Sequence, residues 1–183
     1  MTRTFSVLAG MVILLLTATI VVGFISFSLD MSEKRPVFLL HFYLGLGTAM
    51  CVLLVHCLIF TYFLGTGRWV KEVGLAYQLP DVPYPKLTRE LKRQTFPPAL
   101  FSMLSVIAAA AAGAGAQLQA WPWYVHAALA FFALAVNLWA IRIEYRNVET
   151  NAGIIQAVLV EVDRIRGEFG LNSNAEALVE EGK

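Results

Sequence analysis

The sequence predicts an all-α protein: a four-transmembrane-helix bundle with a cytoplasmic amphipathic C-terminal helix. Three observations predict it. Of the 183 residues, 58% are hydrophobic and only 15% charged, a balance that soluble domains of this size rarely show. The apolar residues gather in four charge-free runs, about 5–29, 37–64, 97–117 and 121–141. These runs are continuous rather than alternating, and hydrocarbon accepts only helices or closed barrels, so they read as helices. Of the 14 Lys and Arg residues, all but Lys34 and Arg35 fall on one side when the N-terminus is placed inside. The positive-inside rule then puts both termini in the cytoplasm, and the expected location is a bacterial cytoplasmic membrane.

The first run follows Arg3. It is long for a signal peptide and lacks a small-x-small cleavage pattern before Asp30, so it is expected to be a span. The second run leads into a loop, 65–96, that opens with Gly65-Thr66-Gly67-Arg68-Trp69, an interfacial anchor of one aromatic and flanking cations. Pro80, Pro83 and Pro85 predict a turn, Leu87 to Phe96 a short basic helix on anionic headgroups, and Pro97-Pro98 the start of the third span. The third and fourth spans are joined through Gln119 and Pro122 and must form an antiparallel hairpin, with Trp121, Trp123 and Tyr124 at the outer interface. Small residues from Ala108 to Ala116 allow another backbone or a flat ligand to come close.

Residues 1–148 form the predicted transmembrane domain, 149–170 the amphipathic helix and 171–183 an acidic tail. Ile155, Val158, Val162, Ile165 and Phe169 recur at spacings of three and four. That seam suits contact with the loop, with other membrane subunits or with a second copy through 155–169.

Several functions are disfavoured. The basic residues make no stripe with interleaved aromatics, which argues against nucleic acid. No His-Glu-x-x-His, no Gly-x-Ser-x-Gly and no acidic pair within a span is present, so an enzymatic role is at most that of a redox or electron-transfer subunit. Cys51 and Cys57 are six residues apart on one helix, cannot pair, and read as small buried apolar groups.

All three histidines, His41, His56 and His126, lie inside predicted spans, where an ionisable residue signals function by default. Counting about 1.5 Å per residue from the span ends places His41 and His126 at roughly the same depth, 6 to 7 Å below the outer boundary, with Gly23 and Gly113 in the same slab. His56 lies 15 residues beyond His41, and Asn137, on nearly the same face of the fourth span as His126, is its expected hydrogen-bond partner.

With histidines on spans two and four and glycines on spans one and three, Gly23, His41, Gly113 and His126 resemble the haem-binding four-helix bundle of membrane b-type cytochromes. The resemblance implies one haem b, its iron held by His41 and His126, its ring passing Gly23 and Gly113, and its propionates paired with Lys34 and Arg35. Where the two-haem version has a second histidine pair, His56 and Gly10 stand on helices two and one, but helix four offers Trp139, Ala140 or Ile141. The expected function is thus electron transfer by a membrane-embedded b-type haem protein, with quinone as a candidate partner. The alternative is a cofactor-free accessory or assembly subunit of a larger membrane complex.

Overall fold

The structure, a computed structural model, describes residues 2–29 and 31–174, the side chains of 31–34 excepted. It contains four helices and, among the described residues, no strand: α1 (Thr2–Ser28), α2 (Met31–Ala76), α3 (Tyr84–Gln117) and α4 (Trp123–Glu168). Consecutive helices pack side by side and α1 closes against α4, while the diagonal α2 and α4 touch little. The result is an up-down-up-down four-helix bundle.

Each helix has a stretch long and apolar enough to cross a membrane. Many large apolar side chains face outward: Val7, Leu14, Leu40, Leu54, Phe101 and Phe132 are exposed, although Phe5, Leu16 and Phe63 are buried. Inside are small or polar residues such as Ala9, Thr48, Ser102, Ala112, Ala133 and Ala140. Small residues let helix backbones approach where water supplies no driving force between them, and an outer surface this apolar suits lipid.

The helices are longer than the charge-free runs. At 46 residues each, α2 and α4 reach about 69 Å, far past a hydrocarbon core of about 30 Å. The loop expected at 65–96 is therefore mostly helix. Gly65 does not end α2, which continues to Ala76, and Leu87 to Phe96 is not a separate surface helix but part of α3. Pro97 and Pro98 lie within α3 rather than at its start. The reason is one unbroken buried stripe, Leu91, Thr95, Pro98, Ala99, Ser102 and Val106, whose three- and four-residue spacing runs straight through the prolines. Pro85 sits in the first turn of α3, where no amide hydrogen is needed.

Residues 149–168 continue α4 without a break. Val158 and Val162 are buried against Val70 and Leu91, so α2, α3 and α4 extend beyond the end of α1 as a three-helix stalk. Gly170, at φ 70°, ends α4, with the Leu171 amide returning to the Arg166 carbonyl at 2.9 Å. The tail from 175 onward lies outside the described residues. Cys57 is exposed rather than buried, and Cys51 is half-buried.

The α3–α4 turn is closed by Trp121, whose Nε1 donates to the Ala112 carbonyl at 2.8 Å. Its ring lies on Gly115, where a Cβ would come within 2.1 Å of it. At the other end of the bundle Arg89 binds Asp81 through both terminal nitrogens, tying the α2–α3 turn to α3.

Candidate functional site

His41 on α2 and His126 on α4 meet near the end of the bundle that carries the α1–α2 and α3–α4 connections. Their ring centroids are 6.0 Å apart with an interplanar angle of 73°. The two are held in the same way. His41 Nδ1 donates to the Thr19 carbonyl of α1 at 3.0 Å, and His126 Nδ1 donates to the Ala109 carbonyl of α3 at 2.9 Å. A carbonyl only accepts, so both imidazoles carry hydrogen on Nδ1, which leaves the Nε2 lone pair available. Neither Nε2 has a hydrogen-bond partner among the described residues.

Gly23 and Gly113 explain how the rings reach these carbonyls. Each glycine lies four residues past the accepting residue, one turn further along the same helix face. A Cβ on Gly23 would stand 2.8 Å from His41 Cε1, and one on Gly113 would stand 2.9 Å from His126 Cε1. The glycines thus make room for the imidazoles themselves, not for open space beside the helix. Thr19 contributes again through its hydroxyl, which bonds the buried Thr48 of α2 at 2.8 Å and pins α1 to α2 next to His41. On the α1–α4 side, Phe24 packs on Phe131 and Phe27 on Trp123. Arg35 is exposed near the start of α2, and the Lys34 side chain lies outside the described residues.

No family model, curated protein or solved structure matches this chain. What the pair can do follows from its own geometry. Metal–nitrogen bonds of about 2.0 Å, with each ring centroid roughly 1 Å behind its nitrogen, put two imidazoles on one metal about 6 Å apart between centroids. The observed 6.0 Å between centroids is close to that distance. Among the described residues no group of three or more His, Cys, Asp or Glu converges anywhere, whereas a bare zinc or copper ion would want three or four ligands.

His56 is bound otherwise. It is fully buried, with Nδ1 2.7 Å from Glu144 Oε1 and Nε2 3.0 Å from Asn137 Oδ1. Asn137 is the partner its position suggested. Glu144 is the residue that counting charges concealed. It falls three residues beyond the last apolar run, yet it is fully buried, because it lies seven residues after Asn137 and shares its face of α4. That heptad spacing from a polar residue inside a span was the available signal.

Proposed function

We propose that this chain crosses a bilayer four times and holds one low-spin b-type haem between His41 and His126, serving as an electron carrier. The observation that carries this reading is the pair of imidazoles 6.0 Å apart, each anchored through Nδ1 to a neighbouring helix. A haem would supply four nitrogens of its own and the one-electron couple of its iron, so His41 and His126 would suffice as protein ligands. The protein's part is to fix each imidazole's tautomer and direction before the ligand arrives. The two carbonyl bonds do this, and they also raise the basicity of Nε2.

Arg35, and Lys34 by its place in the chain, would pair with propionates at the rim. The lysine and arginine distribution favours both termini and the stalk in the cytoplasm; a bacterial cytoplasmic membrane is the location we propose, and quinone is a partner that an apolar surface can admit. Purification with haem supplied, followed by reduced-minus-oxidised absorption spectra, tests the reading. A two-imidazole low-spin spectrum at one haem per chain is expected, and a colourless protein overturns it.

A second reading, a cofactor-free accessory subunit, draws on the stalk tip. There Leu75, Phe169 and Leu171 are each exposed, and Arg166 donates to the Tyr77 hydroxyl. An apolar tip of this kind suits docking to another subunit or a second copy through 155–169.

A further inference from the structure

Asn137 determines how His56 is protonated. Its amide nitrogen donates to the Ala133 carbonyl at 2.8 Å, so its oxygen is the atom that faces His56 Nε2. That nitrogen must therefore carry hydrogen, the opposite tautomer from His41 and His126. Nδ1 and Glu144 Oε1 are then 2.7 Å apart and need a proton between them, since a bare ring lone pair against a carboxylate oxygen would repel. Whether the proton rests on nitrogen or oxygen, the pair is neutral as a whole. Among the described residues no other charged side chain, from any of the helices packed around them, bears on either group.

The second carboxyl oxygen is unspent. Glu144 Oε2 is buried without a partner, and so is Asn151 Oδ1, seven residues on along the same face. Between them Asn147 bonds Thr95 at 2.9 Å, while Asn151 donates to Tyr62 and Thr66, both at 3.0 Å. Across the interior, Ser102 Oγ is a third buried atom without a partner. Buried polar atoms are nearly always paired, and in a polar row of this kind water is the usual partner. The row leads only toward the α2–α3 turn. In the other direction, between His56 and the His41–His126 pair, the interior holds the apolar Val12, Leu16, Val52, Val55, Val106, Ala109 and Ala133 together with the buried hydroxyls of Thr48, Ser102 and Ser105.

We propose that His56 and Glu144 form a proton-binding site, filled through water along Glu144, Asn147 and Asn151 from the membrane side that the α2–α3 turn faces. Loading adds one proton to the neutral pair. A water donates it to Glu144 Oε2, the shared proton settles on Nδ1, and the site becomes an imidazolium beside a neutral carboxyl with net charge +1. Unloading reverses both movements. Toward the opposite side Thr48 and Ser105 spend their hydroxyls on Thr19 and on the Ser102 carbonyl, so the row of open carboxyl and amide oxygens, and with it the access, runs to one side. The proposal does not depend on haem.

Two measurements on the full chain in vesicles test it. In nitrogen-15 NMR of the wild type, His56 is expected to be the one histidine of three with a protonated Nε2, and after acidification both of its nitrogens should carry hydrogen. A bare Nε2 on His56 overturns the proposal without any variant. In infrared difference spectra, lowering the pH on the α2–α3-turn side should raise or shift a neutral-carboxyl band that Glu144→Gln removes. The same step on the other side should not, and Asn151→Leu should slow the response at least tenfold. An equal response from both sides, a band unaffected by Glu144→Gln, or an unchanged rate in Asn151→Leu overturns it.

Discussion

The molecule holds two histidine centres that differ in one respect, the use made of the second ring nitrogen. His41 and His126 spend Nδ1 on backbone carbonyls and keep Nε2 open, whereas His56 spends both nitrogens on Asn137 and Glu144. The first arrangement leaves one nitrogen of each ring open, as the proposed haem site requires. The second is closed to a metal but holds a proton. A histidine in a membrane helix is thus not a ligand by residue type. Its partners decide.

The largest effects should separate the centres. Replacing His41 or His126 with Ala should abolish haem absorbance, while His56→Gln should leave one haem per chain. Loss of haem in His56→Gln at normal yield of folded protein would erase the contrast.

Next comes the cost of breaking the buried pair. His56→Leu or Glu144→Leu alone should each destabilise the bundle by about 3–5 kcal/mol, because each strands a polar partner in the interior. The double variant should recover most of that loss, since apolar residues of similar size often replace a buried pair without penalty. Thermal unfolding in detergent measures the cycle, and additive single losses would show that the two groups do not interact.

Glycine substitutions should follow the geometry. Gly23→Ala and Gly113→Ala force the methyl to within 3 Å of an imidazole, costing about 1–3 kcal/mol by overpacking and reducing haem occupancy. Gly10→Ala, which meets nothing within 4 Å, should change stability by less than about 0.5 kcal/mol and leave the haem unchanged. Equal effects at all three would separate the glycines from the histidines.

The smallest effect lies at the α2–α3 turn, where hydrogen bonding to Arg89 holds the Asp81 carboxyl below its usual range. A lowered carboxyl pKa adds stability above the unfolded value, near about pH 4, and loses it as pH falls through the folded value. The wild type should therefore melt slightly above Asp81→Asn at neutral pH, and the two should converge in acid. Both groups are exposed and the difference is small.

The buried stripes explain how much of this was legible beforehand. Four helices, their antiparallel hairpins and the level of His41 and His126 follow from charge-free runs and the rise per residue, because lipid imposes length and polarity on any segment that crosses it. Helix ends did not follow. Charge marks where lipid stops, whereas Val70, Leu91, Val158 and Val162 keep α2, α3 and α4 packed far beyond it.

The sequence by itself determined the helix count, the apolar exterior and which residues share a level, since these depend on local pattern and on geometry along one axis. Tertiary structure alone decided what each histidine faces. The Thr19 and Ala109 carbonyls are backbone groups that every residue has, and Glu144 becomes a partner of His56 only through packing across 88 residues of chain. Hydrogen bonds between helices depend on rotation about each helix axis, and only the assembled bundle sets that rotation.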